Sequence, residues 1–161
     1  MSVFNAYEVF EIAEQIERNG FMFYSHAAQF SFSPKAKELL SRLARMESEH
    51  EKLFKTLKEK FSLKGDDEFP DSENQAISYI RAIAGGKVFG SMENVSKKLR
   101  ADVSYNEIID TALDFEKNSI VYFTALKTLL SDKSQKNKID ALIEQELSHI
   151  SMLLEEKKNS K

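Results

Sequence analysis

The chain has 161 residues, long enough to bury a hydrophobic core without extra staples, and 30% of them are charged with both signs mixed. A net charge of -3 offers no field that would draw in nucleic acid or an anionic membrane surface, so neither is expected as a partner. The absence of Cys excludes disulfides, thiolate metal sites and any thiol relay inside the chain.

The opening stretch from Met1 to Gln15 is punctuated by Asn, Glu and Gln. It reads as neither a signal peptide nor a membrane span, so a soluble, cytoplasmic protein is expected. Only two Pro and five Gly interrupt a chain rich in Ala, Leu, Glu and Lys, which predicts an all-α fold. A first helix is predicted from about Ser2 to Gln29, with Phe10, Ala13, Phe21, Tyr24 and Ala28 on one apolar stripe. Ser33-Pro34 restarts the chain as N-cap and first helical residue, and the second helix runs to about Leu63, where Gly65 stops it. Residues 66–103 contain Pro70, Gly85-Gly86 and Gly90 and read as a crossover with short helices, one of them opened by a Ser72-x-x-Gln75 capping box. A second capping box, Ser104-x-x-Glu107, begins a third long helix that carries Ile108, Ile109, Ala112, Leu113, Ile120 and Phe123 and ends near Leu130. The polar run Ser131 to Asn137 is predicted as a tight connection, and the last helix presents Ile139, Leu142, Ile143, Ile150 and Leu153 before a tail, EEKKNSK, that frays. Two short turns and one long crossover between the second and third long helices make a four-helix bundle, a single domain over residues 1–161.

One chemical pattern occurs twice. Glu47-Ser-Glu-His50 and Glu146-Leu-Ser-His149 are both Glu-x-x-His, and each has a Glu thirty positions upstream, Glu17 and Glu116. The halves are offset by 99 residues, as if one helix pair had been copied. Each of these Glu and His residues interrupts an apolar stripe, so all six are predicted to face inward. Four ionised carboxylates together in a core would cost several kcal/mol per ion without compensation, roughly as for any buried charge. No Arg or Lys lies on those stripes, whereas two divalent cations would cancel the charge formally. An oxygen-rich set with two imidazoles suits iron or manganese. Glu-x-x-His spacing lets both side chains reach one ion.

One Glu from each of two helices with Glu-x-x-His from the other two is the ligand pattern of ferritin-like di-iron and di-manganese carboxylate proteins. The residues also resemble rubrerythrin-like proteins. The likeness lies in Glu17-Arg-Asn-Gly-Phe-Met-Phe-Tyr24, Met46-Glu-Ser-Glu-His50, Phe115-Glu-Lys-Asn-Ser-Ile-Val-Tyr122 and Glu146-Leu-Ser-His149, and it spans essentially the whole chain. It implies a ferritin-like four-helix bundle in which Glu17, Glu47, Glu116 and Glu146 are carboxylate ligands, two of them bridging, and His50 and His149 are terminal ligands. It further implies two iron ions, although manganese or zinc could occupy the same ligands, and reduction of hydrogen peroxide at a diferrous site. Rubrerythrins carry a further carboxylate three residues after the third-helix ligand, where this chain has Ser119, and a Cys-rich rubredoxin module that it lacks. An external electron donor such as a rubredoxin-like protein is therefore expected.

Neighbouring polar residues divide by position. Tyr24, two turns beyond Glu17, is the candidate for hydrogen bonding to a ligating carboxylate or carrying a radical, against the simpler reading of a core aromatic. Tyr122 is one position out of register with it. His26 falls on the opposite face from Glu17, and Glu14 and Glu51 map through the 99-residue offset onto Leu113 and Ile150, which argues against all three as ligands. Lys97-Lys98 reads as a solvated face. The functional expectation is an oxidoreductase acting on peroxide or dioxygen, as a homodimer. The rivals are ferroxidase activity with iron storage or delivery, and a non-enzymatic bundle that metal only staples.

Overall fold

In the computed structural model the described residues are 5–30, 32–61, 63, 69, 75–84 and 99–160. They form five helices and, among the described residues, no strand: α1 Ala6–Ala27, α2 Pro34–Lys58, α3 Gln75–Ala84, α4 Tyr105–Leu129 and α5 Lys133–Asn159.

The helix starts follow from side chains that satisfy otherwise unpaired amides. Asn5 caps α1: its side chain accepts from Glu8 N at 2.9 Å while its own amide donates to Glu8 Oε2 at 3.2 Å, so the helix opens at Ala6 rather than near Ser2. Ser33 Oγ accepts from Ala36 N at 3.1 Å ahead of Pro34, and the Ser104–Glu107 capping box closes at 3.2 and 2.8 Å, both as expected. The connection expected over Ser131 to Asn137 is shorter than that. Asp132 accepts from Gln135 N at 2.7 Å and starts α5 at Lys133, because this cap satisfies a first-turn amide and Lys133, Gln135 and Lys136 suit a helix.

Helix ends also differ from expectation. α2 stops at Lys58 instead of near Leu63, and the following turn lets Phe61 stack on Phe10 at 5.2 Å. The tail expected to fray stays helical to Asn159, held by buried Glu156, which accepts from Tyr105 Oη at 3.1 Å and pairs with Lys35 at 3.6 Å. Gly65, Pro70, Ser72, Gly85-Gly86, Gly90 and Lys97-Lys98 lie outside the described residues.

Two apolar clusters fill the interior. One gathers Phe10, Phe54, Leu57, Phe123, Leu126 and Leu142, and α3 adds Ile80 to it. The other gathers Phe23, Leu40, Leu43, Ile109, Ala112 and Leu153. Along every long helix the order is apolar cluster, polar residues, other apolar cluster, so the predicted six polar residues occupy one layer between the two. α1 and α5 run from the first cluster to the second, whereas α2 and α4 run from the second to the first. Because α2 and α4 point the same way, the chain between them must return along the whole bundle, about 38 Å for a helix of roughly 25 residues. That geometry is why one connection is long and two are short.

Candidate metal centre

The seam that each long helix turns inward advances by alternate threes and fours, a mean of about 3.5 residues as in left-handed bundles. On α2 the buried seam is Ala36, Leu40, Leu43, Glu47, His50, Phe54 and Leu57. On α5 it runs through Ile139, Leu142, Glu146, His149 and Leu153. α1 follows it through Phe10, Ala13, Glu17, Gly20, Tyr24 and Ala27, so Phe21, expected on the inward stripe, stands off the seam at 38% exposure while Phe23 is fully buried. α4 follows it through Ile109, Ala112, Glu116, Ser119, Phe123 and Leu126.

The polar layer therefore has eight seam positions. Four are Glu, two are His, and the places that His50 and His149 take in α2 and α5 are filled in α1 and α4 by Gly20 and Ser119. A Cβ at Gly20 would lie 2.7 Å from Glu47 Oε2 and 3.2 Å from its Cδ and Cγ, so any side chain there would push that carboxylate from its place. Ser119 turns its hydroxyl away, donating to Phe115 O at 2.9 Å.

The six predicted residues come together. Glu17, Glu146 and His149 have no exposed surface, and Glu47, His50 and Glu116 are at most 4% exposed. They form two groups whose candidate ligand atoms lie within 4.8 Å of one another: Glu17, Glu47, His50 and Glu146 in one, Glu47, Glu116, Glu146 and His149 in the other. Glu47 and Glu146 belong to both, as carboxylates spanning two adjacent ions would. Each imidazole turns Nδ1 to the carboxylates. His50 Nδ1 is 2.7 Å from Glu146 Oε1 and 3.3 Å from Glu17 Oε2, and His149 Nδ1 is 3.0 Å from Glu47 Oε1, 3.2 Å from Glu146 Oε2 and 3.5 Å from Glu116 Oε1. The two rings lie nearly parallel with centroids 5.5 Å apart.

Charge in this layer is held by protons. Burial, and then the charges of Glu146 and Glu47, push the Glu17 carboxyl well above the usual range; burial with Glu47 and Glu146 does the same to Glu116. Burial also raises Glu146, but the close imidazoles of His149 and His50 outweigh it and hold this carboxyl below its ordinary value. Burial works against a charged His149, yet Glu116, Glu146 and Glu47 prevail and push it up to about 12. His50 is raised too, its desolvation outweighed mainly by Glu146. Oxygens of Glu17, Glu47 and Glu146 and Nδ1 of both histidines are nonetheless buried without a hydrogen-bond partner. Buried polar atoms that converge unpaired fit a cation pair of the oxygen-and-imidazole type.

Tyr24 lies at the edge of this layer, and its buried hydroxyl donates to Glu116 Oε1. Burial, and then the Glu116 charge, raise its pKa, so the phenol keeps its proton and acts as a donor. Tyr122, also buried, donates to Val9 O at 2.8 Å and thereby ties α4 to α1. His26 is exposed. Glu14 accepts from Arg18 Nη2 at 2.9 Å and pairs with Lys58, and Glu51 accepts from Arg18 Nε at 2.8 Å, so cations on the bundle surface take both. Two residues of the site were not read from the sequence. One is Gly20, whose 99-residue counterpart Ser119 is also small, a pairing that could have marked it; the other is Gln145, whose Oε1 meets His50 Nε2 at 2.7 Å.

The Rubrerythrin family model matches residues 3–58, the stretch that contains Glu17, Glu47 and His50. The whole chain superposes on a crystal structure from Thermotoga maritima described as a ferritin-like diiron-carboxylate protein, with a TM-score of 0.72 and 22% identity over 100% of this chain and 99% of that one. The chain has the ferritin-like fold. No curated protein matches its sequence. The buried Glu and His groups are compatible with a di-iron site. Among the described residues no helix is long and apolar enough to cross a membrane.

Proposed function

We propose that this protein is a rubrerythrin-type non-haem di-iron oxidoreductase that reduces hydrogen peroxide, or dioxygen, with electrons from an external donor. The observation that carries the reading is the sharing of Glu47 and Glu146 between two four-residue groups, which supports a pair of ions rather than one. Glu17 and His50 would complete one position, Glu116 and His149 the other. An iron pair bound there would supply two electrons and a Lewis-acidic surface for an O–O bond.

The chain's own residues do the rest. The two apolar clusters above and below the layer keep bulk water from the reacting atoms. Reduction of one hydrogen peroxide to two waters takes two electrons and two protons. The protons that the carboxyls and imidazoles carry without metal leave when cations bind, so those needed for turnover come from solvent. Tyr24 keeps its hydroxyl proton and steadies Glu116 through the hydrogen bond. Ser119, where rubrerythrins have another carboxylate, leaves the layer with one carboxylate fewer, its hydroxyl donating to Phe115 O. The 161 residues hold no Cys, and the donor we propose for the electrons is a rubredoxin-like protein.

Ferroxidase activity in the service of iron storage or delivery would use the same residues, and the choice rests on the oxidant. Stopped-flow mixing of the anaerobic ferrous protein with hydrogen peroxide and separately with dioxygen decides it. Faster oxidation by peroxide is expected. A preference for dioxygen, together with assembly into a large closed shell instead of a dimer, would point to iron handling.

A further inference from the structure

The inner ligand layer is nearly two-fold symmetric under the 99-residue offset, but the groups behind it are not. His50 Nε2 meets Gln145 Oε1 at 2.7 Å. The repeat counterpart of Gln145 is Met46, a residue with no strong acceptor to offer, and His149 Nε2 is buried with no hydrogen-bond partner among the described residues. The carboxylates break the symmetry in the same direction. Among the described residues Glu17 accepts no hydrogen bond and meets only His50 Nδ1, 3.3 Å from its Oε2, whereas Glu116 Oε1, 3.5 Å from His149 Nδ1, also accepts from Tyr24. The counterpart of Tyr24 is Phe123, which has no hydroxyl.

Each contact has a defined effect on a metal ligand. A neutral imidazole that ligates through Nδ1 carries its proton on Nε2, and an amide oxygen accepting that proton fixes the tautomer, aims the ring and raises the basicity of Nδ1. His50 has this support from Gln145. A phenol donating to a carboxylate oxygen withdraws electron density from the atom a cation would use, and Glu116 bears that cost alone. One position thus combines a carboxylate that takes no phenol hydrogen bond with a braced imidazole. The other combines an engaged carboxylate with an unbraced imidazole.

We infer that the two metal positions are unequal, with Gln145 and Tyr24 as the positioning residues that set the order: the Glu17–His50 position fills first and holds its ion, and the Glu116–His149 position is the weaker, exchangeable one. This rests on the di-metal reading.

Single-position variants separate this from simple repulsion between two neighbouring cations. Mn(II) is titrated into the anaerobic protein by calorimetry, with far-UV circular dichroism to check helicity. His149→Ala should keep one step that is at least about tenfold tighter than the step kept by His50→Ala. Adding Gln145→Met to His149→Ala should weaken its step by about 10- to 100-fold, and Gln145→Glu, which keeps an acceptor oxygen, should not. Adding Tyr24→Phe to His50→Ala should tighten the weak step. In the otherwise wild-type chain, where the exposed position of Gln145 makes the change safe for folding, Gln145→Met should weaken the tighter step and spare the other. Equal steps in the two His variants, or a Gln145→Met effect on both steps alike or on neither, would overturn the inference while leaving the metal pair intact. Absence of any Mn(II) binding by wild-type protein would instead remove the di-metal reading itself.

Discussion

Glu17 and Glu47 illustrate how much of the site lies in single side chains. Both are buried carboxylates, but Glu17 belongs to one ligand group and Glu47 to both. Glu17→Ala should therefore cost the protein about one metal ion per chain, and Glu47→Ala should lower occupancy at both positions, while His26→Ala, altering an exposed residue, leaves the content unchanged. Metal analysis of the three purified variants checks this; equal loss in all three would contradict the assignment of faces. These six residues were legible in the sequence because chemistry and spacing repeated together. Gln145 was not, because a helix-surface Gln carries no pattern of its own and its partner His50 is 95 residues away.

At the scale of the helix, the decisive quantity is the period of the inward seam. A straight 3.6-residue helix puts Phe21 beside Glu17, whereas the 3.5-residue seam of a left-handed bundle puts Gly20 there, and Phe21 turns outward. The same seam explains why α1 needs a glycine at a buried mid-helix position where alanine would favour the helix by about 1 kcal/mol. Gly20→Ala is expected to leave the metal-free melting temperature unchanged or slightly higher. It should also reduce metal binding, since the added Cβ displaces the Glu47 carboxylate. Full metal binding by a folded Gly20→Ala protein would contradict the role given to this position. Helix boundaries were the least legible feature. Asp132, Asn5 and Glu156 each set an end through one or two hydrogen bonds or an ion pair, contacts that hydrophobic periodicity does not report.

For the whole molecule, the polar layer makes stability depend on pH and on metal together. Without metal, His149, His50, Glu17 and Glu116 all hold protons more tightly folded than unfolded, while Glu146 holds its proton less tightly. The unfolded histidines lose their protons near pH 6.5 while folded His149, raised to about 12, keeps its own. Between pH 6 and 8 the folded state thus binds more protons than the unfolded one, and stability must fall as pH rises. A chelator-treated sample is expected to melt at lower temperature at pH 8 than at pH 6. Added Fe(II) under anaerobic conditions displaces the protons, so the upward shift it produces should be larger at pH 8. A metal-free protein that grows more stable from pH 6 to 8 would contradict the proton-filled layer. The bundle topology was legible because each long helix bears one polar interruption in an apolar stripe. What the sequence left hidden was how the groups behind the ligands break the symmetry of the copied hairpin, since that depends on cross-helix neighbours.

The most direct test is a crystal grown anaerobically with excess ferrous salt, with anomalous diffraction recorded at the iron edge. Two iron peaks about 3.5–4 Å apart, bridged by Glu47 and Glu146 and flanked by Glu17 with His50 and Glu116 with His149, are expected. A layer without iron, or a single ion that leaves either Glu-His pair unengaged, would contradict the paired-metal centre.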